Sequence, residues 1–141
     1  MSGNSVFLDS AYAIALAVPA DQHYPQTKAL AAEVLRSRIR MITTRDVMVE
    51  VANALSRVRY RSAAVATLKA FAADPLIEIV ERTPELYREA FELFEQRPDK
   101  EWSLTDCLSF VVMRQRGLTE ALTSDEHFEQ AGFKALLRQA S

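Results

Sequence analysis

The chain has 141 residues, 49% of them apolar and 26% charged, enough for one domain over 1–141 with a full core and typical of a soluble globular protein. Its net charge of −2 excludes a protein that binds nucleic acid by bulk charge, so any such contact must come from local basic patches. One cysteine, Cys107, rules out a disulfide framework and a thiolate metal cluster, and three glycines (Gly3, Gly117, Gly132) leave no phosphate-cradling loop.

In chain order, Val6-Phe7-Leu8 reads as a short buried strand ending in Asp9-Ser10, where a helix over about 10–18 begins. The apolar run at 11–20 follows an aspartate, has no upstream Lys or Arg and is too short to span a membrane, which argues against a signal peptide and for a cytoplasmic protein. A second helix covers about 22–38, with Leu30, Val34 and Leu35 at helical spacing. Met41 to Thr43 is a strand. Thr44 then caps a helix to about residue 59, with Val47, Val51, Ala54, Leu55 and Val58 as its buried stripe. A helix over about 62–72 is broken by Asp74-Pro75, and Leu76 to Val80 is a strand. Thr83-Pro84-Glu85 starts a helix that ends near Arg97-Pro98. After a polar loop holding Trp102, Ser103 opens a helix to about Arg116, with Gly117 just past its end. Ala121 to Thr123 is a strand, a short helix follows from Ser124, and Phe133 to Leu137 is a last edge strand. Strands alternating with helices predict an α/β fold: a parallel sheet with helices on both faces.

Ligands of such sheets bind beyond the carboxyl ends of the strands. Asp9 and Asp125 both follow strands there, so both can face one crevice. Asp106 lies in the first turn of a helix that is apolar nearly all round (Cys107, Leu108, Phe110, Val111, Val112, Met113) and so is buried and central. Glu50 sits at the margin of a buried helical stripe. Each acid has a bland reading: Asp9 as a helix cap, Asp106 as the partner of Ser103 in a capping box, Asp125 as a first-turn acid, Glu50 as a solvated side chain. Taken together they form a pocket of like charge that is hard to hold without a cation.

Four stretches resemble the PIN-domain nucleases, and among them the VapC-type toxins of bacterial toxin–antitoxin systems. They are Val6-Phe7-Leu8-Asp9-Ser10, Glu50-Val51-Ala52-Asn53-Ala54-Leu55, Trp102-Ser103-Leu104-Thr105-Asp106-Cys107-Leu108-Ser109-Phe110 and Leu122-Thr123-Ser124-Asp125-Glu126-His127-Phe128. The resemblance implies a three-layer α/β/α sandwich with a mainly parallel central sheet and a metal-dependent endoribonuclease. It assigns Asp9, Glu50, Asp106 and Asp125 to the acidic site, with Asp9 and Asp106 the firmest metal ligands and Asp125 more variable in role. Mg²⁺, or Mn²⁺, suits such carboxylates. Glu50 would hold a second metal or orient the water, and Ser10, Asn53 and Ser124 are supporting hydrogen-bonding groups. The resemblance also implies an RNA substrate, an antitoxin that blocks the acidic groove with an Arg or Lys, and a homodimer. The apolar residues of the first helices (Tyr12, Ile14, Leu16) are more than one short strand can cover, so part of them is read as interface. Alternatives are a housekeeping PIN nuclease of RNA processing and a catalytically silent PIN-like RNA-binding module.

Among the remaining residues, Arg36, Arg38, Arg40 and Arg45 surround the second strand, and Arg57, Arg59 and Arg61 follow the third helix; both groups could hold RNA phosphates. His23 and His127 read as surface or capping residues, Cys107 as core and Trp102 as packing. A phosphatase of the haloacid dehalogenase type, which also starts with an aspartate after a strand, needs a second aspartate two residues on; Ala11 stands there.

Overall fold

The computed structural model describes residues 1 and 3–138. In it β1 (Ser5–Leu8), β2 (Arg40–Thr44), β3 (Ile77–Val80), β4 (Glu120–Leu122) and β5 (Lys134–Ala135) form one sheet in the order β3-β2-β1-β4-β5. Every pairing is parallel, with Phe7 opposite both Ile42 and Ala121. The helices are α1 (Ser10–Ala17), α2 (Tyr24–Arg36), α3 (Arg45–Ala54), α4 (Val58–Ala73), α5 (Pro84–Gln96), α6 (Leu104–Gln115) and α7 (Glu126–Gln130). They cover both faces of the sheet. From β1 the chain builds outward through β2 to β3, and later through β4 to β5 on the other side. The boundary between β1 and β4 is therefore the topological switch point, where a crevice opens beyond the strand ends.

Local chemistry explains the element ends. Thr44 Oγ1 accepts the Val47 N–H (3.0 Å) at the start of α3, and Thr83 Oγ1 accepts the Leu86 N–H (3.1 Å) ahead of Pro84. Gly117 takes φ 65° beyond α6, and the Leu118 N–H reaches back to the Met113 carbonyl (2.8 Å), a Schellman ending that a side chain would strain. Helix α6 runs through the core with Cys107, Phe110, Val112 and Met113 buried. The Phe110 ring meets Trp102 and Phe128 edge-on, each at 5.0 Å between centroids. Such aromatic pairs contribute about 0.5–1.5 kcal/mol each beyond their buried area. Trp102 is buried, its indole N–H donating to Gln130 Oε1 (3.0 Å), so it packs.

Several expectations need correction. The helix expected to run from Thr44 to about residue 59 stops at Ala54, and α4 starts at Val58, earlier than expected. Leu55 turns inward to the core at the break, and the Arg61 guanidinium donates to the Ser56 carbonyl (3.1 and 2.7 Å), closing the turn. Ala54 and Val58, placed in the buried stripe, are exposed as a result. Leu35 is likewise exposed, leaving Val34 as the buried apolar contact of α2. Tyr12, proposed for an interface, is buried within the chain. The last strand shortens to Lys134–Ala135 but does form the edge beside β4.

Candidate active site

Asp9 follows β1 directly and takes an extended backbone (φ −99°, ψ 162°) at the N-cap position of α1, yet its side chain makes no capping bond. Its carboxylate turns into the switch-point crevice, where Asp9 is only 4% exposed. There the Thr123 hydroxyl donates to Asp9 Oδ2 (2.7 Å). Thr123 is the residue after β4, and the same oxygen accepts the Asp125 N–H (3.0 Å). One fully buried hydroxyl thus ties the end of β1 to the loop that carries Asp125.

Asp106 does form the capping box with Ser103: Ser103 Oγ accepts the Asp106 N–H (2.9 Å), and Asp106 Oδ2 accepts the Ser103 N–H (3.1 Å). The bland reading and the site reading hold for the same side chain, because Oδ2 also lies 2.9 Å from His127 Nδ1. Asp125 caps α7, its Oδ1 accepting the His127 N–H (2.9 Å), and the same oxygen is 3.5 Å from the His127 ring nitrogen. Asp106, Asp125 and His127 can place one ligand atom each within 4.8 Å of one another. Glu50, half-buried on α3, accepts a hydrogen bond from the Ser10 hydroxyl on the first turn of α1.

The electrostatics follow from this crowding. Burial pushes the Asp9 carboxyl up to about 7; the hydrogen bonds from Thr123 and the Ser10 backbone pull against it, and Glu50 and Asp106 push it further up. Burial also raises Glu50, with Asp106 and Asp125 adding to the effect against the Ser10 hydrogen bond. Asp106 is raised by burial and by Asp125, against the bonds from Ser103 and His127. Burial works against a charged His127, but the hydrogen bond to Asp106 and the fields of Asp125, Asp106 and Glu126 outweigh it and raise the imidazole. When protonated, His127 places a positive charge against Asp106 and Asp125.

The four acids named from the sequence meet in one crevice, and Ser10 is bonded to one of them. Asn53 is exposed on α3 and Ser124 is half-buried; neither side chain hydrogen-bonds to the acids among the described residues. Thr123 fills the supporting role that Ser124 was expected to fill. His127, read as a surface or capping residue, sits between Asp106 and Asp125 instead. Nothing local signals this, because Asp106 is 21 residues away along the chain.

The PIN domain family model matches residues 6–134. This chain belongs to the PIN domain family. It is 29% identical over 128 residues to the 23S rRNA-specific endonuclease VapC20 of Mycobacterium tuberculosis, in strains CDC 1551 / Oshkosh and ATCC 25618 / H37Rv, covering 91% of this chain and 95% of the relative. The crystal structure of Mycobacterium tuberculosis VapC20, a sarcin–ricin loop cleaving toxin, superposes with a TM-score of 0.82 at 28% identity, over 91% of this chain and 95% of that one. The chain is accordingly a homologue of the VapC-type PIN toxin endonucleases. PIN nucleases depend on metal, and the donor set fits a hard divalent cation: oxygen-rich, crowded with like charge, and raised in pKa by burial and by one another.

No described helix is long and apolar enough to cross a membrane.

Proposed function

We propose that the chain is a Mg²⁺- or Mn²⁺-dependent endoribonuclease that hydrolyses RNA phosphodiester bonds, acting in the cytoplasm as the toxin of a toxin–antitoxin pair. The observation that carries this reading is the buried Asp9 carboxyl, pushed up to about 7 beside two other raised acids. Such perturbed groups cluster at functional sites, and a divalent cation would relieve the like charge gathered here. Asp9, Asp106 and Asp125 would hold the ion. Bound there, a divalent ion supplies a nucleophilic water at neutral pH and offsets charge on the phosphate.

The protein's own groups do the positioning. Thr123 fixes the Asp9 carboxylate and the Asp125 backbone together. Ser10 fixes Glu50, which would orient the attacking water or help hold a second ion. Ser103 and His127 set the rotation of Asp106. Partners in this reading are RNA, an antitoxin that presents a basic side chain to the acids, and a second copy of the chain. A structured ribosomal RNA stem–loop, as cut by the VapC20 relative, is the first substrate to test.

The decisive experiment is cleavage of a sarcin–ricin stem–loop RNA with Mg²⁺ or Mn²⁺, with and without EDTA, by the natural chain and by Asp9→Asn. Metal-dependent cuts that vanish in Asp9→Asn are expected. Cleavage that survives EDTA, or an unimpaired Asp9→Asn, would overturn the reading.

A further inference from the structure

Six of the thirteen arginines are paired with neighbouring carboxylates: Arg45 with Glu81, Arg82 with Asp46, Arg88 with Glu92, Arg97 with Asp99, Arg116 with Glu78 and Arg138 with Glu129. Of the other seven, three are gathered in one stretch of chain. From Val51 to Ala73 the sequence has no Asp or Glu but four cations, Arg57, Arg59, Arg61 and Lys69. The rest of the chain holds the other thirteen Lys and Arg against all nineteen acids, so a basic segment is set into an acidic protein. It covers the end of α3, the turn after it and all of α4.

None of these four cations has a carboxylate partner among the described residues. Arg59 lies over the Tyr60 ring, 4.7 Å from its centroid, and Arg61 bonds only the Ser56 carbonyl. The turn itself is anchored by the buried Leu55. Between Arg57 and Arg59, Val58 is 94% exposed. An apolar side chain so placed adds nothing to the core, but can pack on a sugar or base edge.

The segment also lies beside the acidic crevice. Arg57 is seven residues after Glu50 in the sequence. Four helical steps span about 6 Å and three extended residues at most about 11 Å, so the turn lies within about 17 Å of Glu50. Helix α4 packs against α1 and α3, which carry Ser10 and Glu50. Carboxylates at the crevice repel a polyanion, so a strand drawn there needs cations on its flank. Guanidinium groups bind phosphate bidentately.

We propose that the α3–α4 turn and the first turns of α4 hold the phosphates of the substrate RNA on the Glu50 side of the crevice, with Val58 packing on a ribose or base. This rests on the endoribonuclease reading and adds the direction from which the strand enters. Arg36, Arg40 and Arg114 offer an internal comparison. Arg40 opens β2, Arg36 ends α2 just before it, and Arg114 is in the last turn of α6, so all three lie toward the end of the sheet opposite the acids.

The test is binding of a fluorescent stem–loop RNA by Asp9→Asn protein in EDTA, followed by anisotropy across a KCl series. Replacing Arg57, Arg59 and Arg61 together by Ala should weaken binding about tenfold or more and lower the slope of log affinity against log salt by about 2. Replacing Arg36, Arg40 and Arg114 together by Ala removes the same charge and should change binding by less than about twofold. A triple Arg→Lys variant at 57, 59 and 61 should keep the salt slope. Val58→Ser should weaken binding with the slope unchanged. Equal losses in the two alanine triples, or none in the first, overturn the proposal while leaving the nuclease reading intact. So does a first triple that binds RNA normally but loses a co-expressed antitoxin, because the turn then docks protein. No RNA binding by the parent protein at any salt concentration overturns both.

Discussion

Thr123 donates its hydroxyl to Asp9 across the junction of β1 and β4, at 2.7 Å, and accepts the Asp125 N–H at 3.0 Å. Two acids separated by more than a hundred residues in sequence are thereby fixed to one oxygen atom. The parallel register of Leu8 with Leu122 brings the two strand ends level, and Thr43, one residue before the end of β2, donates in the same way to the Leu8 carbonyl (2.7 Å). Threonines at strand ends therefore set the geometry of the crevice floor, and the acids stand on it.

Thr123→Val should keep the shape of this floor and remove the bond. The Asp9 carboxyl would then rise further, because the hydrogen bond that lowers it is gone. Metal affinity should fall about 10- to 100-fold, the usual effect of losing a group that orients a ligand. The loss of the buried bond should cost about 1–3 kcal/mol of stability. Calorimetric titration with Mn²⁺ and urea unfolding check both; unchanged metal affinity would mean that Thr123 serves folding alone.

Asp9→Asn should separate stability from function. The neutral amide removes a desolvated negative group from beside Glu50 and Asp106. In EDTA at pH 8 the variant should unfold at higher urea than the natural chain, by up to about 4 kcal/mol, the value of a carboxyl shifted by about three units. In millimolar Mn²⁺ the order should reverse, because the natural chain gains the binding energy of the ion. A less stable variant in both conditions would mean that Asp9 is held for its hydrogen bond and not for a cation.

Much of this arrangement was legible in the sequence, and the gaps have physical causes. The alternation of short apolar runs with helical periods gave the parallel sheet, and the acids following Leu8 and near Leu122 could be placed at its carboxyl end by rule. The Ser103–Asp106 spacing gave the capping box. What periodicity could not reveal was the break at Leu55-Ser56-Arg57, since a helix stripe continued through Val58 fits the pattern equally well and only the tertiary fold, which leaves Ala54 and Val58 exposed, decides against it. Thr123 and His127 were missed because each acts through a partner remote in sequence. Ser124 and Asn53 were favoured instead for their nearness to the motif acids, which is a matter of sequence and not of the direction of a side chain.

His127 should matter more to the metal-free protein than to the loaded one. Its ring nitrogen lies between Asp106 and Asp125 in the place where positive charge relieves both, and its side chain is 24% exposed. His127→Ala should cost about 1–2 kcal/mol in EDTA at pH 6, in the range for a hydrogen bond between charged groups with some solvent screening. Saturating Mn²⁺ should shrink that difference. Thermal melts with and without metal measure it, and an equal loss in both states would assign His127 to packing.

The pH dependence of the metal-free protein follows from the raised groups of the crevice, Asp9 and His127 among them. Asp9 is raised from 3.8 to about 7 in the folded state, so folding favours its protonated form. The stability linked to that proton is fully present below about pH 4 and is lost as pH rises toward 7. His127 is raised above 6.5, and its contribution is likewise present at lower pH and lost as pH climbs through its folded value. Both terms have the same sign. In EDTA the melting temperature should therefore fall between pH 5 and about pH 8. A divalent ion competes with these protons, so its affinity should rise over the same interval, and added Mn²⁺ should flatten the curve most at the alkaline end. Melting curves at half-unit pH steps, with EDTA and with Mn²⁺, decide it. A metal-free protein that grows more stable from pH 5 to 8 would mean that the acids are compensated within the chain and have no need of an ion.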